Sequence, residues 1–286
     1  MACEICGDSG WKTVEADGVE QVARCDCWQA KLVEHSLAAA RIPRRYRHCE
    51  LTNFEQSYDS LREAHRKARA FIDAFPVVDR GLLLRGQHGV GKTHLAVAIL
   101  KAVVGQRGAR GYFYETRELL KLVRDTYSSG GDETEMEVLR PVLDADLLVL
   151  DDLGAEKTSE WVQETLGLVV NTRYSEGRPT IFTTNLEDGP DSGDPNSMVF
   201  RLGARIRSRL FEMCDWVHME GIDAREVGGP NPTPGDIARY HERSPLSPEN
   251  LRGTRRLPDR SRGMARAQLR ERGPAELKWT GGKAGS

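Results

Sequence analysis

The chain contains no run of 18 apolar residues. That excludes a membrane-spanning helix, which needs about 20. The first 30 residues lack the apolar core of a secretory signal and carry Cys and charge instead, which predicts a cytoplasmic protein. A strong charge of one sign is also missing, with 41 Lys+Arg against 43 Asp+Glu. Cysteine is scarce, at six residues in 286. In a cytosolic chain, paired cysteines bind metal or serve catalysis more often than they form disulfides. The length allows one or two domains.

The even balance hides an asymmetry. Residues 230–286 carry 12 Lys+Arg against 6 Asp+Glu, and residues 1–229 carry 29 against 37. A basic tail on an acidic body suits a polyanion partner, and a solvated tail with no partner is an equal reading. Its Pro, Gly and Arg predict disorder over residues 228–286.

What is present is organised around residues 81–93, G-L-L-L-R-G-Q-H-G-V-G-K-T. A short apolar strand is followed by G-x-x-x-x-G-K-T and then by a helix-type sequence over residues 94–104. This is the context a P-loop requires. Gly86, Gly89 and Gly91 let the backbone turn tightly and present N–H groups to phosphate oxygens. The phosphate-binding loop therefore comprises Gly86, Gln87, His88, Gly89, Val90, Gly91, Lys92, Thr93 and His94. Lys92 brings a charge to the β- and γ-phosphates, Thr93 a hydroxyl for Mg²⁺, and the helix its positive end.

Strand and helix patterns then alternate: strands at 112–114, 147–150, 180–184 and 216–219, and helices at 117–127, 133–143 and 161–174. Alternation of this kind predicts a parallel sheet covered on both faces. Functional groups in such a sheet gather at the carboxyl ends of the strands. At one such end L-L-V-L runs into Asp151-Asp152. Asp151 is placed to reach the Mg²⁺ held by Thr93, and Asp152 to polarise an attacking water. Asn185 ends another strand, where its amide can orient that water or sense the γ-phosphate; a turn-forming Asn is the alternative. Further on, Arg201, Arg205, Arg207 and Arg209 crowd what reads as one helix.

Near the start, Cys3 and Cys6 form C-x₂-C, and Cys25 and Cys27 form C-x-C. Between them two strand-type runs flank a D-G turn, a β-hairpin signal. A hairpin that joins two Cys pairs is a zinc-ribbon plan, with four thiolates for tetrahedral Zn²⁺. A head of about 30 residues is too small to hold itself by a core, so the metal supplies folding energy. Free thiols or a redox pair are the alternative. His35 and Cys49 are further donor side chains, and a merely packed or exposed role is open for each. A helix is expected over residues 28–40, ended by Pro43, and another over 57–75. Between them R-I-P-R-R-Y-R-H reads either as a contact to nucleic acid or nucleotide or as a charged linker.

Taken in order, these motifs resemble the bacterial helicase-loader ATPases of the DnaC/DnaI type and the related IstB-like transposition helpers, within the AAA+ class. The residues that carry the resemblance are C-E-I-C-G-D-S-G-W with R-C-D-C, R-I-P-R-R-Y-R-H-C, G-Q-H-G-V-G-K-T-H-L-A, L-L-V-L-D-D-L-G-A-E, F-T-T-N-L, R-I-R-S-R-L and G-I-D-A-R. It covers residues 1–227. It implies an α/β P-loop AAA+ domain with a five-stranded parallel sheet, a zinc-ribbon-like head and an unmatched tail. The implied division is a four-cysteine zinc-binding head and helix at 1–40, a basic linker at 41–56, the ATPase domain at 57–227 and the tail at 228–286.

The same resemblance implies ATP, Mg²⁺ and structural Zn²⁺ as cofactors. It also implies self-association, a hexameric replicative helicase gripped by the head, and single-stranded DNA on the ATPase domain. It places a trans-acting arginine finger on Arg209, with Arg205 as the near alternative, and a second sensing arginine on Arg225. Asp152 stands where Glu is commoner in such ATPases, which implies slow hydrolysis. Three rivals remain. One is a GTPase, from D-D-L-G at 151–154 and a half match to N-K-x-D at 185–188. The others are a transposition helper and a non-catalytic adaptor; the Cys-rich head favours the loader over the helper.

Overall fold

The computed structural model describes residues 3–16, 18–128, 134–189 and 193–227, together with 235, 236 and 239. The expectation of a disordered tail at 228–286 therefore falls almost wholly outside the described residues, as does most of the break at 128–131.

The head is a two-stranded antiparallel hairpin, β1 (Trp11–Ala16) and β2 (Val19–Arg24), followed by α1 (Asp26–Ala39). Its register pairs Trp11 with Arg24 and Ala16 with Val19, as the expected hairpin requires. Gly18 takes φ 75°, a left-handed backbone that glycine adopts at little cost.

Five strands form one parallel sheet: β3 (Gly81–Gly86), β4 (Gly111–Glu115), β5 (Leu147–Asp151), β6 (Thr180–Thr184) and β7 (Cys214–Met219). Their order is β4-β5-β6-β3-β7. β3, β5 and β6 are almost wholly buried, which fits their unbroken apolar runs, since a parallel sheet is covered on both faces. The helices are α2 (Asp59–Ala74), α3 (Lys92–Arg107), α4 (Thr116–Ser128), α5 (Glu135–Asp144), α6 (Glu160–Ser175), α7 (Met198–Leu202) and α8 (Ala204–Met213). One apolar layer joins α2 and α3 to one face of the sheet. The other joins α4 to α8 to the opposite face. In α2 the buried residues are Leu61, Ala64, Ala68, Phe71 and Ile72, the stripe that its helical spacing predicts. The helix of the head, α1, packs against α3 and β4 and so ties the hairpin to the sheet. None of the described helices is long and apolar enough to cross a membrane.

Residues 41–56, expected as a basic linker, are docked: Cys49 and Phe54 belong to the apolar core, and Ile42, Tyr46 and Leu51 pack against it. The segment carries enough apolar side chains among its arginines to dock on α2 and α3. One expectation is corrected. The arginine-rich stretch is two helices, not one. Gly203, at φ 85°, breaks it, so Arg201 belongs to α7 and Arg205, Arg207 and Arg209 to α8.

Candidate nucleotide site

The sheet order decides the site. β6 lies between β3 and β5, so the loop after β3, the acids ending β5 and the polar tip of β6 converge at one edge. Here they line a cavity of about 390 Å³. Gly89 takes φ 73°, and a Cβ there would run into Asp223. Gly91, at φ 96°, is the residue before the first turn of α3. Glycine is required at both: the backbone is left-handed, and at Gly89 the neighbour leaves no room.

Lys92 is buried, and its Nζ donates to the carbonyls of Gly86 (2.9 Å) and Gln87 (2.7 Å) and to Oδ1 of Asn185 (2.5 Å). Burial pulls its pKa down to about 8, against the pull of Asp152 and Asp151. The Thr93 hydroxyl donates to Oδ1 of Asp151 at 2.8 Å. Burial raises the Asp151 pKa, and hydrogen bonds from Thr183 and Thr93 act against it. Asn185 completes the set, since its Nδ2 donates to Oδ1 of Asp152 at 3.0 Å and lies 3.1 Å from Nε2 of His88. One amide thus links the lysine of the loop to Asp152, the acid directly after β5.

Sequence reasoning missed Thr183. Its hydroxyl donates to Asp151 Oδ1 (2.6 Å) and accepts from the Asp152 N–H (2.8 Å). Asp152 takes φ 56°, and this bond helps to hold that turn. The signal was present as a hydroxyl two residues before Asn185 on the same strand. Arg45, Tyr46, His48 and Glu115 also line the cavity. The basic segment thus borders the cavity through Arg45, Tyr46 and His48.

The other expected residues fall as follows. His88, His94 and Arg225 line the cavity. Val90 is buried in the core, which leaves only its backbone for a ligand. Gly86 and Gln87 border an adjoining cavity of about 440 Å³. Arg209 lies outside its own chain's site. Its guanidinium sits over the Tyr174 ring at 5.6 Å, and its Nε is buried without a hydrogen-bond partner. Arg205 is exposed. Asp188, the last position of the half-matched guanine motif, is paired with Arg207 at 2.6 Å.

In the head, the ligand atoms of Cys3, Cys6, Cys25 and Cys27 all lie within 4.8 Å of one another. The sulfurs of Cys3 and Cys25 are 3.8 Å apart and those of Cys6 and Cys27 3.2 Å. A tetrahedron of thiolates with Zn–S near 2.3 Å has edges of about 3.8 Å. The donor set therefore fits Zn²⁺. The short C-x-C spacing has a local reason: Cys25 is the N-cap of α1 and Cys27 lies in its first turn, where the helix N-terminus favours a thiolate. His35 joins no such group among the described residues.

The model of one family, the IstB-like ATP-binding proteins, matches residues 20–225. The chain belongs to this family. As an IstB-like protein it is of the P-loop ATP-binding class, a family described by ATP and not by GTP. Over 165 residues it is 26% identical to the replicative helicase loader DnaC of Escherichia coli (strain K12), covering 58% of this chain and 64% of that one. Over 154 residues it is 30% identical to the replicative helicase loader DnaI of Bacillus subtilis (strain 168), covering 51% and 48%. It thus spans less than two thirds of the length of these loaders. A crystal structure of the DnaC helicase loader superposes with a TM-score of 0.55 at 34% identity, over 62% of this chain and 100% of that one. This IstB-like chain therefore has the α/β AAA+ fold its sequence predicts, with five parallel strands.

Proposed function

We propose that this chain is a cytoplasmic ATP hydrolase that loads a hexameric replicative helicase onto single-stranded DNA. The observation that carries the reading is the convergence of Lys92, Thr93, Asp151, Asp152 and Asn185 on one cavity of nucleotide size. The triphosphate lies along the loop, with Lys92 against its β- and γ-phosphate oxygens. Thr93 and Asp151 are hard oxygen donors suited to Mg²⁺, which when bound offsets phosphate charge. Asp152, oriented by Asn185, accepts a hydrogen bond from the water that attacks the γ-phosphorus, and ADP leaves. Arg225, at the cavity wall, reads the presence of the γ-phosphate.

The loader role rests on the likeness to DnaC and DnaI. The test is capture of a hexameric helicase by the full chain, with ATP and Mg²⁺ and without them. ATP-dependent retention is expected. Retention of a transposase in its place would make the chain a transposition helper.

The head, residues 1–40, is the helicase-gripping element, held by one structural Zn²⁺ on its four cysteines. Cys25→Ser is expected to lose that ion and to melt the hairpin, as read by metal analysis and circular dichroism. A Cys25→Ser chain that keeps its hairpin without metal would remove the zinc ribbon.

A further inference from the structure

A second group of soft donors lies away from the head. His48, Cys49 and His94 each offer a ligand atom within 4.8 Å of the others. The first two sit in the docked segment 41–56, and His94 in the first turn of α3, directly after Thr93. All three line the nucleotide cavity. We propose that they form a second metal site, for a borderline divalent cation such as Zn²⁺.

Three observations carry this. First, Nε2 of His48 lies 3.8 Å from Sγ of Cys49. In a tetrahedral zinc site a thiolate and an imidazole nitrogen stand roughly 3.6 Å apart, so the pair is spaced as two ligands of one ion. Second, Nε2 of His94 faces two acceptors, the carbonyl of Glu50 at 3.0 Å and Oδ1 of Asn53 at 2.9 Å. Asn53 is fixed in that orientation, because Oδ1 accepts from the Glu50 N–H and Nδ2 donates to the His48 carbonyl. The ring proton of His94 therefore sits on Nε2 and the lone pair on Nδ1. A histidine that donates its second N–H to a backbone carbonyl is the usual support of a metal ligand. Third, Cys49 is buried while His48 and His94 are partly exposed toward the cavity. Sulfur is kept from bulk water, and an ion has an entry path. Three protein ligands leave the fourth position to the cavity, as in open zinc sites.

The ion would tie the docked segment to the helix that carries Lys92 and Thr93. Its three ligands are brought together by the fold, so tighter binding to the folded chain raises stability by mass action.

The test is equilibrium dialysis of the full chain against Zn²⁺, with Co²⁺ absorption to count thiolate ligands. Two ions per chain are expected, the second with one thiolate. Cys49→Ser and His48→Ala should each lose that second ion and keep the four-thiolate one. His48→Ala changes a partly exposed side chain, so it gives a reading even where Cys49→Ser fails to fold. Cys25→Ser should keep the one-thiolate ion. An ion in Cys25→Ser that disappears on adding Cys49→Ser supports the site even with no metal in the head. A second ion that survives both His48→Ala and Cys49→Ser, or a single ion lost with Cys25→Ser, overturns it.

Discussion

Arg209→Ala is expected to lower the DNA-stimulated ATP turnover of the assembled protein by about 10³–10⁵-fold, with ATP binding unchanged. The expectation follows from where Arg209 is. It is absent from the lining of its own chain's cavity, so removing it leaves the cradle intact. On α8 it rests against Tyr174 with its Nε buried and unpartnered. An arginine held on a ring face is kept stiff while its outer nitrogens stay available to an anion. A triphosphate in a neighbouring subunit is the anion that the proposed function supplies. Complementation is expected as well. Arg209→Ala has a working cradle, and Lys92→Ala has a working arginine, so an equal mixture should recover turnover that neither shows alone. Arg205, one helical turn away and exposed, is the internal comparison. Loss in Arg205→Ala with full activity in Arg209→Ala would move the finger by that turn. Unchanged turnover in both would remove the trans arginine.

Arg173→Leu is expected to destabilise the fold by at least about 4 kcal/mol, in the range that breaking a buried hydrogen-bond network reaches. Arg173 is fully buried. Its Nη1 donates to the carbonyls of Val142 (2.9 Å), Leu143 (3.2 Å) and Ala145 (3.0 Å), at the C-terminal end of α5. Its Nη2 donates to Pro179 O at 2.8 Å, and its Nε to the Thr180 hydroxyl at 2.7 Å. Burial pulls its pKa down to about 9. One side chain thus satisfies the open end of α5 and fastens it to α6 and to the start of β6. Leucine leaves those acceptors buried and unpaired, at about 1–3 kcal/mol each. The measurement is the urea midpoint with the slope held as a check. A loss below about 1 kcal/mol would mean that water takes over the carbonyls.

Much of the site was legible because its parts are short local motifs at strand ends. The P-loop, Asp151-Asp152 and Asn185 are separated by tens of residues, and a parallel sheet with β6 between β3 and β5 brings them together. What stayed hidden depends on tertiary contact. Thr183 reads as an ordinary strand residue until the register sets it beside both acids. Arg173 falls in the helix expected at 161–174, where an arginine reads as solvated. The segment 41–56 looks like linker because its arginines outweigh its apolar residues in composition, although those apolar residues decide where it docks. The run through Arg201 and Arg209 reads as one helix because Gly203 alone does not forbid a helix; its left-handed φ does.

The most direct test of a nucleotide cradle in this chain is ATP turnover with Mg²⁺, measured as phosphate release beside a binding titration. Wild-type protein should bind ATP and release phosphate slowly. Lys92→Ala, which removes the ammonium held by Gly86, Gln87 and Asn185, should cut turnover by about 10²–10³-fold. Wild-type protein that ignores ATP with magnesium, or equal turnover in both, would contradict the account.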